Sequence, residues 1–369
     1  MTAPLPPLTE IPQDLVSLSD YETRAKDHMS SDVYAYIYGG GGDEITLRRN
    51  REALDAILIT PKILVDVTDG HTHTVIGQDT FRHPILLAPV AFQKLVHPSG
   101  ELGTIEAVNL LETGMVVSTL ATETLETMAD QLETPKWFQL YFQQDRGFTL
   151  DIVKRAEKAG YTALVITIDA PLHGIRNRAQ RAGFVLPDGM EAVNLVDRPP
   201  LPSKSLPPEH SVIFQGMMSE TPTWADMKWI RSQTDLPIYL KGILSTEDAL
   251  QAAEFKMDGI IVSNHGGRVL DCVPSAIEVL PEIREALGPD YPILIDGGIV
   301  RGTDVFKAIA LGANAVLIGR PQLYALAVAG SLGVAHMLRL LREELEVTMA
   351  LAGTPTLKDI SKHAIIPLS

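Results

Sequence analysis

Residues 259–271 read GIIVSNHGGRVLD. Ile260, Ile261 and Val262 make an apolar, β-branched run that stops at Ser263, Asn264 and His265, after which Gly266 and Gly267 lead to Arg268 and Asp271. A short run apolar on both faces reads as a strand buried in a parallel sheet, with polar groups delivered at its C-terminal end. A histidine beside glycines and an arginine can take a proton from a substrate while the cation holds an anion nearby. On these residues alone a loop with a hydrogen-bonded histidine and a solvated arginine is an equal reading, so the rest of the chain decides.

Working outward, the same unit recurs from Pro84 onward: a short apolar run, a polar or glycine break, then a segment with helical periodicity. The runs are 85–89, 115–118, 137–141, 164–168, 237–240, 260–262, 293–295 and 315–318. Between them, segments such as 101–112, 150–159, 249–255, 276–287 and 303–311 carry apolar residues three and four apart. Eight alternations of strand and helix predict an α/β fold, a parallel (β/α)8 TIM barrel over 81–369. An open doubly wound sheet is the competing architecture, but no G-x-G-x-x-G follows the first run. The connection after the fourth run is too long for an ordinary loop; its excess, 183–222, carries six prolines between Pro199 and Pro222 and reads as a lid over the active end or a disordered insert.

Residues 1–80 precede the barrel as a helical and extended segment packing on it. A Pro-rich start gives way to a helical pattern from Ser19 to Tyr38, with Ser19 as N-cap and Glu22 three residues on. The run Gly39 to Gly42 invites a phosphate-loop reading, yet it follows a helix rather than a strand, so a helix stop is preferred. His71 and His73 have metal-like spacing but no further ligand in a motif, and are taken as surface.

The chain has 369 residues, 45% of them apolar, and a formal charge of −15. That balance argues against nucleic acid or an anionic membrane as partner. Cys272 is the single cysteine and reads as a bystander, with no disulfide possible within the chain. The first residues lack the basic start and apolar core of a signal peptide, and no run approaches the roughly 18 apolar residues of a membrane span. A cytoplasmic protein is expected.

In such a barrel the strand C-termini converge on one mouth. They carry Pro89-Val90-Ala91; Ser118-Thr119; Gln139 and Tyr141; Thr167 and Asp169; Lys241; Ser263, His265 and Arg268; Asp296-Gly297-Gly298; and Gly319-Arg320. That convergence favours a working His265. The last two ends, glycine turns followed by helix starts with a guanidinium, suit a phosphate. The other subsite holds His265 as base, Asp169 as its anionic partner, and Arg268 with Arg176 as carboxylate clamps.

The stretches 263–271 (SNHGGRVLD), 296–298 (DGG) with 301–304 (RGTD), and 311–313 (LGA) with 319–321 (GRP) closely resemble the FMN-dependent L-2-hydroxy acid oxidases and dehydrogenases, glycolate oxidase and lactate oxidase among them, over about 21–360. The resemblance implies FMN across the mouth, its phosphate at Gly298, Gly319 and Arg320, with Gly297 and Asp296 on the ribityl and phosphate side. It puts Lys241 beside N1 and O2 of the isoalloxazine, Ser118, Gln139, Thr167 and Ser263 in hydrogen bonds to the flavin, and the backbone of Pro89, Val90 and Ala91 along the N5 edge. It makes Tyr21, Arg176 and Arg268 the substrate-carboxylate binders, Tyr141 the contact to the hydroxyl, and His265 the base with Asp169.

Two positions depart from the family pattern. Val300 stands where an arginine of the phosphate site is usual, with Arg301 following. Leu120 stands where glycolate oxidase has a tryptophan lining the substrate pocket, so lactate or a larger 2-hydroxy acid is expected. The resemblance further implies O2 as acceptor, H2O2 as product, and a homo-oligomer, a tetramer or octamer. A dehydrogenase with a quinone or other acceptor, an oxidase of mandelate-type or longer-chain acids, a decarboxylating monooxygenase, a flavin isomerase and a non-catalytic flavin protein are the alternatives. The isomerase would not explain Arg268 and Tyr21 flanking His265, and a binding protein would tolerate loss of His265, Asp169 or Lys241, none of which is lost.

Overall fold

All eight apolar runs become strands of one closed barrel. The computed structural model describes residues 3–199 and 206–366. Its barrel strands are β1 (Ile85–Leu87), β2 (Gly114–Ser118), β3 (Lys136–Leu140), β4 (Ala163–Thr167), β5 (Ile238–Ile243), β6 (Gly259–Val262), β7 (Ile293–Asp296) and β8 (Ala315–Ile318). They run parallel, each beside the next, and β8 closes on β1. Their registers level the polar strand ends: Ser118 lies opposite Gln139, and Thr167 opposite Lys241.

Side chains alternate between two cores, as strand geometry requires. One set packs outward against the helices, and the other fills the barrel with Leu86, Val116, Val165, Ile261, Leu294 and Leu317 around Trp137 and Tyr239. Those two rings stack at 4.5 Å, and Phe81 meets Trp137 edge-on at 5.9 Å. The indole N–H donates to Asp79 at 2.7 Å. Asp79 and Phe81 belong to a hairpin, Thr74–Ile76 with Asp79–Phe81, that closes the N-terminal end of the barrel. Only the C-terminal end is left to carry a site.

The N-terminal segment forms α1 (Leu18–His28), α2 (Ser31–Tyr38) and α3 (Ile45–Ala56). The single helix expected over 19–38 is broken at Met29 and Ser30, whose backbone is extended (ψ 152° at both). A serine pair followed by Asp32 supplies local hydrogen-bonding alternatives and a fresh helix start, which apolar periodicity does not register. Ser17, not Ser19, precedes α1, its hydroxyl donating to Asp20 at 2.7 Å.

Outside the barrel lie α4 (Gly100–Leu111), α5 (Leu125–Gln131), α6 (Arg146–Lys158), α7 (Asn177–Arg181) just ahead of the long insert, then α8 (Trp224–Arg231), α9 (Thr246–Glu254), α10 (Ala276–Leu287), α11 (Gly302–Ala310) and α12 (Arg320–Ala352). Helix α12 has an 18-residue window apolar enough for a membrane span, but 72% of that window is buried among other elements of the chain. It is a core helix, bent where Gly330 takes φ +57°. Among its described residues the insert, 183–222, has short turns at Val193–Leu195, Val212–Gly216 and Met217–Glu220. Part of its Pro-rich stretch, 200–205, lies outside the described residues.

Candidate active site

The site is built on the loop after β6. Ser263 and Asn264 end the strand, and His265, Gly266 and Gly267 follow with φ of +58°, +61° and +71°. Three consecutive left-handed residues turn the chain back sharply, and glycine suits this conformation best. At Gly267 it is also required by space, since a Cβ would stand 2.7 Å from the Leu47 backbone nitrogen. The Asn264 side chain pins the turn, accepting from Gly267 N–H at 3.0 Å and exchanging hydrogen bonds with Asn50 at 3.0 and 2.7 Å.

His265 is thereby aimed at the end of β4, where its Nδ1 lies 2.9 Å from Asp169 Oδ1. Burial alone would raise the Asp169 carboxyl, but His265 and Lys241 outweigh it and hold it below the usual carboxylate range. The other Asp169 oxygen is buried without a partner. An ionised Asp169 fixes the proton of a neutral His265 on Nδ1 and leaves Nε2 as the basic nitrogen.

Beneath this pair, Lys241 Nζ lies 2.9 Å from Asp296 Oδ2 and donates to Ser263 Oγ at 2.9 Å, while Ser263 donates to Asp296 Oδ1 at 2.6 Å. Burial opposes the ammonium, yet Asp296 and Asp169 overcome it and raise its pKa. The cavity floor therefore carries an ammonium held in an ion pair with Asp296.

Arg268 is half-buried and has no carboxylate among its described partners; its Nη1 donates to the carbonyls of Tyr36, Ile37 and Gly39 at 2.9, 2.8 and 3.0 Å. Burial, with Arg176 and Arg320 nearby, pushes its pKa down to about 9. Arg320 likewise donates to the carbonyls of Ile37, Gly266 and Gly39. Arg268 and Arg176 both lie over the Tyr36 ring, at 5.2 and 5.7 Å. In a chain of charge −15, guanidinia that border a cavity and are held only by carbonyls mark a place that favours an anion.

A cavity of about 1040 Å³ opens over these groups, lined among others by Tyr36, Leu120, Tyr141, Arg176, Lys241, His265 and Arg268. Ordinary small-molecule sites run from about 300 to 1,000 Å³, so a cofactor and a small substrate fit together. Ser118, Thr167, Pro89, Val90, Ala91, Asp296, Gly297, Gly298, Gly319 and Arg320 line it as well. At Gly319, the residue before α12, no atom lies within 4 Å of where a Cβ would stand, so the start of that helix borders open space beside Arg320. Glycine turns, a helix start and an arginine at one end, with a buried lysine on the floor, fit a phosphate-bearing FMN.

Several expected residues lie elsewhere. Tyr21 does not line the cavity: it is fully buried and its hydroxyl meets His336 Nδ1 at 2.9 Å. The tyrosine beside the arginines is Tyr36, in the last turn of α2, which the sequence pattern treated as core. Its signal was position, since it stands three residues before the glycine run. Gln139 and Ser263 are not among the residues that line the cavity; Gln139 donates to Thr167 at 3.0 Å, and Ser263 is bonded to Asp296 and Lys241. The glycine run does more than stop α2. Gly41 N–H donates to the Gly267 carbonyl at 2.7 Å, and a Cβ on Gly40 would stand 2.9 Å from that same oxygen. None of Gly39 to Gly42 lines the cavity. Arg301 pairs with Glu344 at 2.8 Å, whereas Val300 borders the cavity. Cys272 is exposed and away from it. Among the described residues no cluster of metal ligands occurs. Residues that the sequence reading missed include His173, which lines the cavity with a pKa lowered by burial and by Arg176 and His265, and the α3 arginines Arg48 and Arg51.

Comparison with known proteins agrees with this construction. The model of the FMN-dependent dehydrogenase family matches residues 25–367. The chain is 44% identical over 362 residues to an L-lactate oxidase of Alicycliphilus denitrificans, covering 98% of this chain and 99% of that one. It is 41% identical to glycolate oxidase 3 of Arabidopsis thaliana, covering 95% and 96%. A crystal structure of mandelate oxidase superposes with a TM-score of 0.85 at 40% identity, covering 94% of this chain and 98% of that one. With eight parallel strands closed on themselves and the family model matched over 25–367, the chain belongs to the FMN-dependent dehydrogenase family.

Proposed function

We propose that this chain oxidises an L-2-hydroxy acid of the lactate type to its 2-oxo acid, with O2 taking the electrons and leaving as H2O2. The observation that carries the reading is the half-buried Arg268, without a carboxylate partner, set beside an aspartate-oriented histidine. Arg268 and Arg176 bind the substrate carboxylate. The Tyr141 hydroxyl, held protonated because burial raises its pKa to about 12, donates to the substrate oxygen. His265 Nε2 takes the hydroxyl proton, and Asp169 stabilises the imidazolium that results. FMN, when bound, supplies a two-electron acceptor next to the substrate carbon. Lys241 holds positive charge on that side of the cavity. Oxidases of L-lactate and glycolate among the relatives support both substrate class and acceptor. A cytoplasmic homo-oligomer, tetramer or octamer, belongs to the same proposal, and native mass spectrometry of the purified protein tests its size.

Leu120 favours a second reading in which the substrate is larger. It lines the wall with Tyr141, and mandelate oxidase is among the similar structures. One experiment separates the readings: mix the yellow protein anaerobically with L-lactate, glycolate and L-mandelate in turn, then admit air. Bleaching by lactate that returns in air with peroxide supports the proposal, and bleaching by mandelate alone supports the second reading. Bleaching that persists in air makes the protein a dehydrogenase with another acceptor, and no bleaching by any acid removes the assignment.

A further inference from the structure

Helix α3 crosses the glycine turns that follow β6 and β7, the second of which lies at the phosphate end of the cavity. Leu47 abuts Gly267, and the Asn50 carbonyl oxygen is 2.8 Å from where a Cβ on Gly298 would stand. Arg51 Nη1 donates to the Gly298 carbonyl at 2.9 Å. Glu44, Leu47, Arg48 and Arg51, spaced three and four apart, therefore share the helix face that borders the cavity, and all four line it.

The two arginines on that face differ in their partners. Arg51 is neutralised: it donates to both oxygens of Asp304 at 2.6 and 2.7 Å and to Asp55 at 3.0 Å. Arg48 donates to the neutral Asp43 carbonyl at 2.9 Å, while Glu44, one turn earlier, is paired with Arg178. Across the turn, Val300 presents apolar surface and Arg301 is bound to Glu344. Arg320 has its Nε, Nη1 and Nη2 on three carbonyls. A phosphate carries between one and two negative charges near neutral pH, and Arg320 alone does not match them.

We propose that Arg48, carried by α3 across the Asp296-Gly297-Gly298 turn, is a phosphate ligand for FMN on the side where Val300 offers no charge. A guanidinium on a long, partly solvated stem can close on a phosphate by rotamer change, without moving the helix. The inference rests on FMN being the cofactor and reaches only the phosphate, so riboflavin, which lacks the phosphate, separates the two questions.

The test is titration of the apoprotein with FMN and with riboflavin, read by quenching of flavin fluorescence, for the unaltered chain and for R48A, R48K and R48A combined with V300R. In R48A the FMN Kd should rise about tenfold or more, each tenfold being about 1.4 kcal/mol, while the riboflavin Kd stays within about twofold. R48K should recover part of the loss, as should V300R in the R48A background, because a second cation then faces the phosphate. Raising the salt should weaken FMN binding more in the unaltered chain than in R48A. An FMN Kd in R48A within about twofold of the unaltered chain would overturn the proposal. So would equal losses for FMN and riboflavin, or a double variant no better than R48A. If the unaltered chain takes up neither flavin, the cofactor assignment itself fails and this proposal with it.

Discussion

At the scale of single residues, the site turns on one hydrogen bond, 2.9 Å long, between His265 and Asp169. His265→Ala removes the base without opening the core, so the protein should stay folded and keep its FMN. Its reduction by a hydroxy acid should slow by about 10²- to 10⁴-fold, the usual contribution of a general base; stopped-flow reduction measures this, and an unchanged rate removes His265 from the mechanism. Asp169→Asn tests orientation and charge. Without the carboxylate that orients the ring, flavin reduction should slow while the KM for the acid changes little, and an unchanged rate would deny Asp169 that role. These two residues were legible in the sequence because each follows a β-branched run. Tyr36 was not: a tyrosine in an apolar helix face looks the same whether it enters the core, as Tyr21 does, or borders a cavity, and only the packing of α2 on Arg268 tells them apart.

At the scale of elements, the loop after β6 and the start of α3 form one unit. Asp271 accepts from the backbone N–H groups of Asp43 and Thr46 at 3.0 and 2.8 Å, so the end of the SNHGGRVLD stretch caps the helix that lies over its middle. Gly267→Ala adds a methyl against the Leu47 backbone at a φ of +71°. It should cost about 1–3 kcal/mol from backbone strain alone, and should lower flavin affinity too, because α3 must lift away from Gly298. Urea unfolding of the apoprotein reads the first effect and flavin titration the second, and a variant as stable as its parent would show that the contact relaxes freely. The eight strands were readable because parallel strands are apolar on both faces. The break between α1 and α2, and the reach of the glycine run to Gly267, were not, since both depend on residues more than two hundred positions apart or on serine hydrogen bonds that hydropathy ignores.

At the scale of the whole molecule, closure of the barrel explains both its stability and its traffic. His83, just ahead of β1, is 1% exposed; its Nε2 faces the Thr113 hydroxyl at 3.2 Å and its Nδ1 has no partner. Burial, with Arg342 adding, lowers its pKa to about 4. Unfolding frees it to bind a proton near pH 6.5, so its contribution is complete above that pH and is lost as the pH falls toward 4. Between pH 7 and 4.5 the unaltered protein should lose roughly 2–3 kcal/mol more than His83→Leu, checked by denaturant unfolding at the two pH values; equal losses would place the acid sensitivity elsewhere. The fold class was legible from repetition alone, but the depth of the aromatic plug was not, because Trp137 and Tyr239 meet only once the sheet has closed. That plug makes the barrel a blind alley. With that end filled by Trp137, Tyr239 and Phe81, substrate and product share the one cavity at the strand C-termini, so the spent acid has to vacate the very space that the next molecule needs.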